Sequence, residues 1–207
     1  MVTTLFYEFG GINLNRIWPL LSLVILLALA GCGSSEVNLD EEFSMKLEVE
    51  ELEGVNQEEQ AFSSSEHEGE FWLANFIFTN CDTVCPPMTA NMARVQREMK
   101  ETGVEVPIVS FSIDPENDTP EALKEYGDLY QADYQAWDFV TGYDQETIER
   151  FANVSFMVPA SKEEGSDQYM HSTSIFLVDK EGFVRESYSG LDVPLEEIME
   201  DLEKITD

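Results

Sequence analysis

The sequence predicts an α/β fold: a mixed central sheet with helices on both faces. Three observations carry this. The run Phe71-Trp-Leu-Ala-Asn-Phe-Ile-Phe78 has one strongly polar member. It is too apolar for a strand with one wet face and reads as a central strand covered on both sides. Strand-length apolar runs then alternate with segments of helical spacing, and strands joined through helices need crossovers, hence parallel pairing. Near the end of the chain, two strand-like runs flank Asp179-Lys-Glu-Gly182 and form a hairpin, which adds an antiparallel edge.

Taken in order, residues 33–65 are polar and acidic, a tether followed by weak strands; Met45-Lys-Leu-Glu-Val-Glu50 alternates apolar and charged residues like an edge strand. The buried strand 71–78 runs into Thr79-Asn-Cys81-Asp-Thr-Val-Cys85-Pro-Pro87, a loop leading to a helix, because two prolines suit a first helical turn and Pro86 biases Cys85 away from α geometry. Met88, Met92, Val95 and Met99 recur at helical spacing, and Gly103 ends that helix. Val106 to Ile113 is the second core strand. Thr119 as N-cap and Pro120 at the first helical position start a helix whose stripe is Leu123, Tyr126 and Tyr130. Trp137 to Val140 is a short strand, and Asp144 caps a helix carrying Ile148 and Phe151. Ser174 to Val178 and Phe183 to Tyr188 make the hairpin, and Leu195, Ile198, Leu202 and Ile205 line a terminal helix. The order β-α-β-α-(β-α)-β-β-α is a thioredoxin-like plan.

The chain has 207 residues, enough for one domain with extensions. Its first 31 residues differ in kind. Ile17 to Ala30 is almost entirely apolar, and Leu29-Ala30-Gly31-Cys32 places small residues before a cysteine, which resembles the lipobox of a bacterial lipoprotein. That resemblance implies a signal peptide over residues 1–31, cleavage before Cys32, acylation of its thiol, and a lipid-anchored mature protein. The apolar run is short for a transmembrane helix and contains Pro19. The expected organisation is a signal peptide (1–31), an acidic tether with weak strands (32–65), and a thioredoxin-like domain (66–207).

The formal net charge is −31. Losing residues 1–31 removes one acid, Glu8, and one base, Arg16, and leaves the balance unchanged. This charge excludes nucleic acid as a partner. Such self-repulsion is tolerable where salt screens it, pointing to a salt-loving or alkaliphilic source and a position outside the cytoplasmic membrane.

With Cys32 lipidated, Cys81 and Cys85 remain. A disulfide closing so short a loop restrains little of the unfolded chain, so the pair is poorly placed as a staple and well placed as a site. Near a positive helix end, both sulfurs favour the thiolate, the form that binds soft metals or attacks disulfides. Redox dithiols are typically C-x-x-C; three intervening residues leave both sulfurs free to converge on an ion, and two thiolates suit copper or zinc, with an imidazole as a fitting third ligand. The mature chain offers His67 and His171. His67, in a hydrophilic loop, reads as a solvated surface residue. His171, just before the third core strand, reads equally as a ligand or as a packed or capping histidine.

Trp72-Leu-Ala-Asn-Phe-Ile-Phe-Thr-Asn-Cys81-x-x-x-Cys85-Pro-Pro-Met-Thr, Ser112-Ile-Asp-Pro-Glu-Asn-Asp-Thr-Pro120, Trp137-Asp-Phe-Val-Thr-Gly142 and His171-Ser-Thr-Ser, in this order, resemble the Sco (SenC) family of copper proteins for cytochrome c oxidase assembly. The resemblance covers residues 70–206. It implies that Cys81, Cys85 and His171 bind Cu(I) or Cu(II), one ion per chain, in a thioredoxin-like domain held at the outer face of the membrane. It also implies that copper, or reducing equivalents, pass to the CuA centre of oxidase subunit II, with a copper donor or thiol reductant upstream. One departure concerns Asn56-Gln-Glu-Glu-Gln60, which lacks glycine where the family carries an Asp-Gly type of turn, leaving an N-terminal hairpin without its usual signal. Asp114 and Asp118 match a family motif but read as shaping or capping their loop, since hard carboxylates add little to a soft site. Met88 and Met170 carry thioethers suited to Cu(I), though Met88 belongs to a helical stripe and reads as core.

Two function classes stay open. One is a metallochaperone handing copper on by ligand exchange. The other is a thiol-disulfide oxidoreductase that keeps the CuA cysteines reduced, with Cys81 and Cys85 as its catalytic pair. His171 separates them, because dithiol exchange does not require a distant histidine. Peroxide reduction fits less well, since it needs one peroxidatic cysteine rather than a pair.

Overall fold

The structure, a computed structural model, describes residues 37–81, 83–162, 165–166 and 168–206. The signal peptide, the lipidation site Cys32 and the start of the tether lie outside the described residues. Residues Val37–Asp207 form one compact unit. The weak strands expected in 32–65 are therefore part of the sheet, which begins well before residue 66.

The elements are α1 (Leu39–Glu42), β1 (Leu47–Glu48), β2 (Glu53–Asn56), β3 (Ala61–Ser63), a 3-10 turn (Ser64–His67), β4 (Trp72–Ile77), α2 (Cys85–Thr102), β5 (Ile108–Ser112), α3 (Pro120–Leu129), β6 (Trp137–Thr141), α4 (Gln145–Phe156), β7 (Ala160–Lys162), β8 (Tyr169–His171), β9 (Ser174–Val178), β10 (Phe183–Ser189) and α5 (Leu195–Thr206). Strands run in the order β1-β10-β9-β4-β5-β6-β2-β3, with β7 and β8 as a separate pair. The β4-β5 and β5-β6 pairs are parallel, as the helical crossovers require, and β4-β9 and β9-β10 are antiparallel. The closing hairpin is not the edge on its side: β1 pairs outside β10.

Every residue of β4 is buried, as its composition demands. Leu73 and Ile77 join Met92, Val95, Met99, Leu123, Ile198 and Leu202 in one core layer, under α2, α3 and α5. Trp72, Ala74, Phe76 and Phe78 join Phe111, Ile148, Phe151 and Phe156 in the other, under α4. The alternation of β4 thus feeds both faces. Its one polar member, Asn75, accepts a hydrogen bond from the Ser110 hydroxyl at 2.6 Å, and Ser110 in turn accepts from the Trp137 indole N–H at 2.9 Å. The oxygen of this buried amide is thereby satisfied, while its Nδ2 has no partner.

The helix ends follow the sequence signals. The Thr119 hydroxyl accepts from the Ala122 N–H, the Asp144 carboxylate accepts from the Thr147 N–H, and Gly103 closes α2 in the left-handed region at φ 81°.

Two expectations are corrected. The N-terminal hairpin forms without glycine: β2 pairs with β3 and also with β6. Glu59 supplies the left-handed residue at φ 59°, and Asn56 Oδ1 accepts the N–H groups of Glu58 and Gln60, each at 3.0 Å. His67 is not a solvated surface residue; its ring stacks on Trp72 at 5.3 Å and lies 6.0 Å from Phe62, and burial lowers its pKa. Among the described residues, no helix is long and apolar enough to cross a membrane.

Candidate metal centre

β4 ends at Ile77, and its chain continues through Thr79 to Cys81 and then to Cys85, the first residue of α2. Cys85 is therefore helical, although the sequence placed it in the loop. The cost of a residue before proline entering a helix is offset because Pro86 and Pro87 have no N–H to leave unpaired, and the N–H of Cys85 itself donates to Cys81 Sγ at 3.3 Å. The Cys81 sulfur thus caps the helix that carries Cys85. Both cysteines are free thiols and both are buried.

His171 comes from the end of β8, whose partner strand β7 pairs Ala160 with His171. Its ring lies edge-on to Phe78 at 5.6 Å. His171 Nδ1 is 2.7 Å from the Ser172 carbonyl. A carbonyl only accepts, so Nδ1 carries the proton and Nε2 presents its lone pair. That lone pair meets Cys85 Sγ at 3.2 Å. The turn beyond His171 is backed by Gly190, whose N–H donates to the Thr173 carbonyl at 2.8 Å; a Cβ there would lie 2.6 Å from that oxygen, so a glycine is needed for this approach.

The ligand atoms of Cys81, Cys85 and His171 all lie within 4.8 Å of one another. The structure therefore brings together the three side chains that the sequence put forward, from two segments far apart in the chain.

Their environments differ. For Cys81, burial opposes ionisation but is outweighed by hydrogen bonds from the Cys85 side chain and N–H and from Thr83, and its pKa is lowered. For Cys85, burial and the neighbouring Cys81 sulfur push the pKa well up. Burial lowers the pKa of His171, which favours neutral imidazole. The resting trio is one thiolate-prone sulfur, one protonated sulfur facing two acceptors, and one imidazole lone pair. This set would suit a soft, thiophilic ion, whose binding would require loss of the Cys85 proton.

Other residues weighed in the sequence fall elsewhere. Met88 is core, 1% exposed, whereas Met170 is 54% exposed on the strand that carries His171. Asp114 and Asp118 are not among the converging ligand atoms, and both are buried. Sequence reasoning missed that these two carboxylates bond to the segments leading into the site. Thr79 donates to Asp118, and the Tyr169 hydroxyl donates to Asp114. No signal local in the sequence ties either carboxylate to those segments.

The family model described as SCO1/SenC matches residues 41–207. A relative in Bacillus subtilis (strain 168), named SCO1 protein homolog, is 42% identical over 180 residues, covering 86% of this chain and 91% of its own. The crystal structure of a SCO1/SenC family lipoprotein from Bacillus anthracis is 40% identical, with a TM-score of 0.75 over 78% of this chain and 96% of that one. A structure of BsSco, described as a member of the Sco family of cytochrome c oxidase assembly proteins with a disulfide switch, is 43% identical, with a TM-score of 0.72 over 78% of this chain and 94% of that one.

Proposed function

The chain belongs to the SCO1/SenC family, and from that premise we propose that it is a copper metallochaperone of cytochrome c oxidase assembly. It holds one copper ion through Cys81, Cys85 and His171 and hands it to the CuA site of oxidase subunit II. The observation that carries this reading is the convergence of two sulfurs and one imidazole lone pair within 4.8 Å, with the imidazole oriented by its own carbonyl acceptor. The protein works at the outer face of the cytoplasmic membrane, anchored by lipid on Cys32. The lipobox-like segment and the likeness to a lipoprotein of the same family support this placement. Stable anchoring requires more than one acyl chain.

The cargo is exchanged ligand by ligand. Two soft donors and one imidazole hold Cu(I) or Cu(II) firmly enough to exclude hard competitors. Three protein ligands leave room for an incoming thiolate of the acceptor, after which Cys81 and Cys85 can release in turn.

A second reading rests on the unequal cysteines. The thiolate-prone Cys81 attacks a disulfide in the target, forming a mixed disulfide while the target's other sulfur leaves as thiolate. Cys85 then loses its proton and attacks Cys81, closing a Cys81–Cys85 disulfide and releasing the second target thiol, so two electrons pass to the target. The disulfide switch in the description of BsSco gives this reading its support.

Complementation of an oxidase-assembly strain lacking its own copy distinguishes the two. Cys81→Ser, Cys85→Ser and His171→Ala should each fail to restore CuA-dependent oxidase activity, with partial rescue by added copper. Full activity from His171→Ala at ordinary copper, with failure of the cysteine variants alone, would favour the oxidoreductase.

A further inference from the structure

The loop between β5 and α3 contains two buried carboxylates. Asp118, wholly buried, accepts the backbone N–H of Thr79 at 3.2 Å to each oxygen and the Thr79 hydroxyl at 2.5 Å. It also accepts the hydroxyl of Ser112, the last residue of β5, at 2.5 Å. Its own N–H donates to the Asp114 carbonyl at 2.9 Å. Asp114, in turn, accepts from the Tyr169 hydroxyl at 3.0 Å, on the strand that carries His171. One short loop is thus bonded to the approach of both ligand-bearing segments.

Burying a carboxylate is costly, and burial does raise the pKa of Asp118, against which the Ser112 and Thr79 bonds act. Helix capping does not account for that cost. The α3 N-cap bond is made by Thr119, not Asp118. The carboxylate of Asp118 is instead occupied by a residue two positions before Cys81. An ionised carboxylate offers acceptors only, which matches three convergent donors; an asparagine would turn an N–H group toward one of them.

We propose that Asp118 is a positioning residue of the sulfur pair. Its carboxylate clamps Thr79 to the end of β5, fixing the direction in which the chain leaves β4. This sets Cys81 and Cys85 within reach of His171 before an ion arrives. Preorganisation of this kind, by partners that do not touch the ion, is a common means of holding soft-metal ligands in place. The copper arms of the test below rest on the proposed function; the thiol arm does not.

The test compares the full chain with Asp118→Asn, Thr79→Val and Thr119→Ala, the last removing the neighbouring helix cap but none of the Asp118 bonds. Asp118→Asn should still bind one copper. Its thiolate-to-Cu(II) absorption should shift, and loss of copper to a chelator should accelerate about 10-fold or more. In copper-free reduced protein, alkylation of Cys81 should change several-fold. Thr79→Val should move the same readouts in the same direction. Thr119→Ala should lower the melting temperature and leave spectrum, copper loss and alkylation as in the parent. Parental values of all three in a folded Asp118→Asn overturn the proposal. Should that variant fail to fold, parental values in Thr79→Val overturn it. If the parent binds no copper, the metal reading fails, and the alkylation rates alone decide whether Asp118 positions the thiols.

Discussion

Replacing Cys81 or Cys85 by serine is expected to abolish the thiolate-to-Cu(II) absorption of the reduced, loaded protein and to weaken copper binding by more than about 100-fold. Losing an outer-shell partner of a metal ligand already costs ~10–100-fold, and losing one of two soft donors removes a ligand outright. Serine is a hard, essentially un-ionised oxygen donor at neutral pH and cannot substitute for thiolate toward copper. His171→Ala should do less, because both sulfurs remain, but should alter the spectrum. Chelator competition on each variant gives the numbers. A serine variant with parental affinity would place the site elsewhere.

Asp179→Ala is expected to cost about 3–5 kcal/mol of stability, the usual penalty for stranding one member of a buried ion pair. Asp179 is wholly buried and bonded to Arg185 Nε, and the Arg185 side chain is itself only 6% exposed. The same carboxylate accepts the N–H groups of Glu181 and Phe183, at 3.0 and 2.9 Å, in the β9–β10 turn. Alanine would strand a guanidinium and two turn donors at once, with Asp40 left as the remaining carboxylate on Arg185. Since a domain is stable by only about 5–15 kcal/mol, this is a large fraction. Urea unfolding measures it. Asp179 follows Val178, which pairs with Trp72 at the start of β4, whereas the cysteines follow the end of that strand. The folded variant should therefore keep the parental copper spectrum. A loss under about 1 kcal/mol would show that Asp40 alone suffices for Arg185.

Local signals carried most of the architecture. The apolar run 71–78 identified the central strand, the methionine stripe and Gly103 bounded α2, and Thr119 and Asp144 marked helix starts, because each depends on residues near in sequence. The cysteine pair was legible as chemistry, and His171 joined it through the family motif that the sequence resembles. Contacts between distant residues were not legible. The Asp179–Arg185 pair sits behind an ordinary hairpin turn, and nothing local reveals that Asp118 reaches Thr79 or Asp114 reaches Tyr169. The N-terminal hairpin lacked its usual signal because an asparagine side chain and a left-handed glutamate do the work expected of glycine. The alternation of Met45 to Glu50 was legible as an edge strand, and within it Leu47–Glu48 pairs at the sheet edge beside β10.

The most direct test of copper delivery starts from protein loaded with isotopically enriched copper under reducing conditions. It is mixed with the reduced, copper-free CuA domain of oxidase subunit II, and the two proteins are then separated. The account predicts that the label leaves Cys81, Cys85 and His171 and appears in the acceptor, which develops the dinuclear CuA spectrum once a one-electron oxidant is added, with no transfer from the serine variants. Label retained on this protein in that mixture, while in a parallel mixture of the copper-free reduced protein with a disulfide-bonded acceptor the acceptor is reduced and a Cys81–Cys85 disulfide accumulates, would contradict delivery and leave thiol exchange as the activity.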